Sequence, residues 1–104
     1  MPRAISFTTV TVLHAVASGS RHGFDVIDAT GLPSGTVYPA LGRLERDGFV
    51  KSSWEDPATA REEKRPARRY YRVTAQGARV LETELARFRA LSPIRSLGAA
   101  RGRG

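Results

Sequence analysis

The side chains with the greatest chemical capacity in this sequence are cations, and they are clustered. Between positions 61 and 72 the chain carries Arg61, Lys64, Arg65, Arg68, Arg69 and Arg72 against only two acids, Glu62 and Glu63. A smaller set, Arg43 and Arg46, lies three residues apart in a stretch of helical spacing. Guanidinium groups donate in a planar fork, which suits phosphate oxygens and the acceptor edge of guanine. The whole chain repeats this bias: 17 Lys+Arg, 15 of them Arg, face 10 Asp+Glu, giving +7 over 104 residues. Such an excess favours an anionic partner, either nucleic acid or an acidic membrane. Biased codon usage would enrich Arg, Ala and Gly equally well, so charge by itself does not choose between partners.

Other chemistries find little support. The chain has no cysteine, which excludes disulfides, thiolate metal sites and a cysteine nucleophile. His14 and His22 are its two histidines, without metal-ligand spacing, so no metal and no cofactor are expected. His22 reads as a cap or a satisfied structural group. Ser, His and Asp are all present, but no nucleophile elbow or glycine-rich phosphate loop appears, and catalysis is not expected. The opening MPRAISFTTV is too polar for a signal peptide, and no apolar run nears the roughly 18 residues of a membrane span. A soluble cytoplasmic protein with no membrane partner is the expectation.

The elements that must position these cations follow from periodicity. Positions 5–18 read as a first helix, with Ile5, Val12, Leu13, Val16 and Ala17 on one side; its threonines weaken the pattern. A short second helix runs from His22 to about Ala29, with Val26 and Ile27 inward and Gly31 as a left-handed stop. Ser34 is the expected N-cap of a third helix ending near Gly48, whose buried stripe is Val37, Leu41 and Leu44. Its opposite face then shows Gly35, Thr36, Pro39, Gly42, Arg43 and Arg46, with Pro39 near the first turn and a mild kink there. That face is small where the helix begins, cationic further on and free of acid, as close approach to a duplex demands. A solvated amphipathic helix would look much the same.

A strand over 49–55, a polar loop opening at Asp56 and a second strand over 68–73 make a basic hairpin. Tyr70 and Tyr71 fall on opposite faces of that strand, so one packs inward while the other can meet a phosphate. Thr74 caps a last helix, in which Leu81, Leu85 and Phe88 recur at i, i+4, i+7. Ser92 and Pro93 end it, and the tail RSLGAARGRG reads as disordered.

The stretches HGFDVI, SGTVYPALGRLERDGFV, SSWED and RRYYRVTAQG closely resemble, in order and spacing, the signature of PadR-type transcriptional regulators over roughly positions 10–90. The resemblance implies an α+β, mainly α fold: a winged helix-turn-helix over 1–73, a C-terminal dimerisation helix over 74–92 and a basic tail over 93–104. It maps the reading helix to Ser34 through Asp47, with Thr36, Tyr38 and Pro39 matching the motif, and the wing to about 51–72. The residues expected at DNA are therefore Ser34, Gly35, Thr36, Tyr38, Pro39, Arg43, Arg46, Lys64, Arg65, Arg68, Arg69 and Tyr70. Leu81, Leu85, Phe88 and Leu91 are expected at a homodimer interface. The implied partner is double-stranded DNA, bound by a homodimer at a palindromic operator, usually in repression. A small aromatic effector is a further implication, with Phe7 and Phe88 as pocket candidates if they are not plain core. Phe24 departs from the family's usual Tyr after His-Gly, which removes a hydroxyl. An RNA-binding winged helix and a protein-interaction module are the rival readings; the first lacks the aromatic pattern of sheet-type RNA readers, the second would have lost these cations.

Overall fold

The computed structural model describes residues 5–90, in the order α1 (Phe7–Ala17), α2 (Gly23–Thr30), α3 (Ser34–Arg46), β1 (Val50–Trp54), α4 (Pro57–Glu62), β2 (Arg69–Val73) and α5 (Ala75–Ala90). Leu91, the end expected at Ser92-Pro93 and the basic tail lie outside the described residues.

Helix α1 begins at Ser6, whose Oγ accepts the Thr9 N–H at 3.1 Å, a cap worth about 1 kcal/mol. Two of its three threonines, Thr9 and Thr11, have their hydroxyls occupied. Thr9 Oγ1 accepts from Ser6 Oγ and Thr11 Oγ1 donates to the Phe7 carbonyl. The single inward face expected of this helix is too narrow. Val10, Val12, Leu13, Ala15 and Val16 are all buried, spread around most of the helix circumference, whereas Ala17 is exposed. The reason is tertiary: α1 is the central helix, with α2, α3, α5 and β2 all packed against it.

Helices α2 and α3 form the helix-turn-helix. Val26 and, on α3, Val37, Ala40, Leu41 and Leu44 are fully buried, and Ile27 is half-buried. Gly31 ends α2 at φ 73°, the left-handed conformation expected of it. The start of α3 differs by one residue from expectation. Pro33, in extended conformation, is the N-cap and its carbonyl accepts from Thr36 and Val37, so Ser34 is already helical. Pro39 is then the sixth helical residue, beyond the first turn. The helix runs through it to Arg46, and the carbonyl left without a donor, that of Gly35, belongs to an exposed residue that water can reach. At the far end Gly48, at φ 81°, closes a Schellman motif: its N–H goes to the Glu45 carbonyl and that of Phe49 to Leu44.

Strands β1 and β2 pair antiparallel, from Val50 opposite Val73 to Trp54 opposite Arg69, and Glu55 N–H to the Arg68 carbonyl (2.7 Å) adds a rung. The segment before α2 also joins this sheet. His22 bridges Tyr70, and the Tyr71 N–H donates to the Arg21 carbonyl. Sequence patterning gives no sign of this, since a two-residue bridge has no periodicity. The polar loop expected at Asp56 contains a short helix instead. Asp56 accepts the Ala58 N–H, Pro57 holds the first helical position, and Ala60 is buried. Asp-Pro is a recognised helix start, so the signal was present in the sequence. Helix α5 starts where expected, with Thr74 Oγ1 accepting the Gly77 N–H. It can lie close to the turn that leads into β1 because Gly77 is bare: a β-carbon there would strike the Phe49 carbonyl. No helix among the described residues is long and apolar enough to cross a membrane.

Candidate nucleic-acid interface

Burial of Val37, Ala40, Leu41 and Leu44 turns the opposite side of α3 outward, and that side is led by Gly35, Pro39, Gly42 and Arg46. These four recur at helical spacing, and three of them lack bulk, so another surface can approach the helix backbone closely. The flanks differ. On one, Thr36 and Arg43 incline towards α1, where an Arg43 guanidinium nitrogen reaches Thr9 Oγ1 at 3.3 Å. On the other, Tyr38 and Glu45 incline towards the strands. Glu45 would repel an approaching phosphate, but Ser52 Oγ and Arg69 donate to its Oε2 and offset that charge. Arg46 stands well out, with 66% of its side chain exposed and an ion pair to its neighbour Asp47. Ser34, Gly35, Tyr38 and Pro39 are all exposed at the head of the helix.

The residues between the strands are organised by one buried acid. Glu55, 7% exposed, receives both ends of the Arg65 guanidinium (2.7 and 2.8 Å), the Arg68 backbone N–H and the Tyr70 hydroxyl. Chiefly through the Arg65 hydrogen bonds, and against the opposing effect of burial, its carboxyl is held down at about 2. Arg65 and Tyr70 are thus engaged inside the wing. Tyr70 also packs at a tilt against His22 (5.8 Å between centroids) and lies under the Arg21 guanidinium, tying the wing to the start of α2. His22 is structural, as its position suggested, heading α2 with Nε2 3.6 Å from Asp25. Tyr71, on the other face of β2, packs on the core, and burial pushes its hydroxyl pKa up.

The remaining wing cations are less committed. Arg69 touches Glu45 and lies over the Trp54 ring at 5.0 Å, whereas the side chains of Arg61, Lys64, Arg68 and Arg72 form no hydrogen bond or ion pair among the described residues. Lys51 and Arg72 are directly opposed across the ladder, a like-charge pair that an anion over the strands would relieve. Lys64 sits at the tip with φ 57°. It closes a second Schellman motif, for its N–H donates to the Arg61 carbonyl and that of Arg65 to Ala60.

On the far side, Leu81 of α5 is buried, while Leu85 and Phe88 are partly buried against the core. Phe88 meets Phe7 edge-on at 5.1 Å, and Phe7 remains 62% exposed. These two aromatic rings form an open apolar ridge along α1 and α5 instead of a closed core. No cluster of three or more potential metal ligands occurs among the described residues.

Comparison with known proteins agrees with this geometry. The model of the transcriptional regulator PadR-like family matches residues 12–83. No curated protein matches the chain. Among solved structures, a PadR family transcription regulator from Clostridium difficile is 19% identical, with a TM-score of 0.73, over 90% of this chain and 99% of that one. Bordetella bronchiseptica BpsR, whose DNA binding is regulated by 6-hydroxynicotinic acid, is 21% identical (TM-score 0.68; 97% of this chain, 79% of that one). Staphylococcus aureus MepR, solved with DNA, is 18% identical (TM-score 0.61; 95% and 77%). At these identities the likeness is one of fold.

Proposed function

The chain belongs to the PadR-like family of transcriptional regulators, and we propose that it is a repressor that binds a palindromic operator as a homodimer and is released by a small aromatic effector. The observation that carries this reading is the outward side of α3, where Gly35, Pro39 and Gly42 clear the way for a duplex and Arg46 projects beside a wing in which Arg61, Lys64, Arg68 and Arg72 form no ion pair among the described residues. In this reading α3 enters the major groove. Ser34, Gly35, Thr36, Tyr38 and Pro39 lie at its entry, and Arg43 and Arg46 reach phosphates or base edges. Lys64, Arg68 and Arg69 follow the backbone towards the adjacent minor groove. Arg65 and Tyr70 contribute by shaping the wing through Glu55.

Dimerisation is assigned to α5. The Phe7–Phe88 ridge together with Leu85 offers an apolar surface to a second copy, and two-fold pairing sets half-sites one turn of DNA apart, about 34 Å. The same ridge is where an aromatic effector would act on the dimer, a proposal supported by the response of BpsR to 6-hydroxynicotinic acid. Binding, with no catalytic step, is the proposed activity, and the cytoplasm its proposed place.

The test is an anisotropy titration against duplex from upstream of the protein's own gene, beside a scrambled duplex and a matched RNA, at several salt concentrations. Selective binding is expected, with log affinity falling against log salt by about 0.9 per phosphate neutralised. Equal binding to both duplexes would remove the operator from the reading, and a preference for RNA would replace DNA with RNA as the partner.

A further inference from the structure

Four large apolar or aromatic side chains are conspicuously exposed among the described residues, and three of them, Phe24 (64%), Tyr38 (45%) and Trp54 (64%), line one cleft. It encloses about 430 Å³ between the helix-turn-helix and the wing, and its wall is completed by His22, Gly23, Tyr71 and the segment 65–69. Scattered exposed aromatics need no explanation, but three converging on one concavity mark a surface built to be covered. The fold keeps the cleft open at specific places. Gly23 is bare where any side chain would meet the Tyr38 ring, and Trp54 is held against β2 by Arg69 directly opposite.

The lining includes Arg65, Arg68 and Arg69 and no acid. Arg65 is neutralised by Glu55, and Arg69 is shared between Glu45 and Trp54, which leaves Arg68 as the cation with no hydrogen-bonded side-chain partner. Aromatic faces therefore adjoin positive charge, in a cleft that α3 reaches through Tyr38 in its first half. A DNA strand has the matching alternation, the apolar face of each sugar followed by an anionic phosphate. If α3 occupies the major groove and the wing the minor groove, the strand dividing those grooves must cross between them, where the cleft lies.

We propose that this cleft seats one sugar–phosphate strand of the bound duplex, with Trp54 and Tyr38 packed against deoxyribose and Arg68 on a phosphate. The inference rests on the DNA-binding reading above and specifies where the strand between the two grooves lies. Apolar packing and charge neutralisation have different salt signatures, because only the second releases counterions. Trp54→Ala should therefore weaken duplex binding about tenfold at every salt concentration and leave the log–log slope unchanged. Arg68→Ala should weaken it while reducing the slope by about 0.9.

Trp54 is the single tryptophan of the chain, so its emission reports on the cleft alone. Duplex binding is followed independently by anisotropy of a labelled duplex, with circular dichroism confirming that each variant is folded. A shift in Trp54 emission that titrates in parallel with anisotropy, with the two variant slopes as stated, is the expected result. Normal anisotropy binding with unchanged Trp54 emission, or with full affinity in Trp54→Ala, would overturn the proposal while sparing the DNA-binding reading. Quenching of Trp54 by 2-naphthoate, combined with no response to duplex, would also overturn it and make the cleft a small-molecule site.

Discussion

Two arginines that look equivalent in sequence, Arg43 and Arg46, have different surroundings. Arg43 leans back to Thr9 on α1, whereas Arg46 projects outward. Arg46→Ala is accordingly expected to lower operator affinity more than scrambled-duplex affinity, by about 1–3 kcal/mol if it reads a base. Equal losses on both would make it a phosphate contact. Glu55 matters in the opposite sense, as an acid inside a basic wing. Its carboxyl is held at about 2 in the folded chain against an ordinary value of 4.5. Its stabilisation of the wing is therefore complete above pH 4.5 and is lost as the pH falls towards 2. Glu55→Gln should lower the Tm at pH 7 by several degrees, and the difference from the parent protein should vanish in acid. A double-mutant cycle with Arg65→Gln separates roles: losses of DNA affinity that do not add place Arg65 behind Glu55, while additive losses place its guanidinium on DNA.

Among the elements, the wing is the one whose character changes most between sequence and structure. Its expected loop holds α4, capped by Asp56 and closed by a Schellman turn that forces Lys64, a residue with a β-carbon, to φ 57°. Glycine has no such penalty there, so Lys64→Gly should leave the fold intact and raise its stability by up to about 1 kcal/mol. The same substitution removes a cation from the tip. Thermal melts should therefore move up, or stay, while the salt slope of DNA binding drops by about 0.9. A lowered melt would contradict the strained turn, and an unchanged slope would remove Lys64 from the contact set. Helix α3 was more legible. Its buried stripe and small outward face follow from spacing alone, and the one-residue error at its start arose because Pro33, which has no side-chain acceptor, serves as the cap.

For the whole molecule the surface that matters most is the ridge of Phe7, Leu85 and Phe88. Leu85→Asp places a carboxylate on that surface and is expected to convert a dimer to a monomer by light scattering, with operator affinity falling as half-site cooperation is lost. A variant that stays dimeric would move the interface away from α5. Because Leu85 is partly buried against the core, circular dichroism must show a folded monomer for the result to count.

Local chemistry determined much of this protein from its sequence. Spacing of Val37, Leu41 and Leu44 oriented α3, Gly31 stopped α2, Thr74 started α5, and the density of Arg between 61 and 72 marked the wing. These are decisions taken within a few residues, by periodicity, capping and charge. Tertiary structure decided what depends on residues far apart in the chain. It made α1 the central helix, joined His22 to the sheet beside Tyr70, and gathered Phe24, Tyr38 and Trp54 around one cleft. It also selected which cations stay outward, because Glu55 and Glu45 could claim Arg65 and Arg69 only once the hairpin had closed.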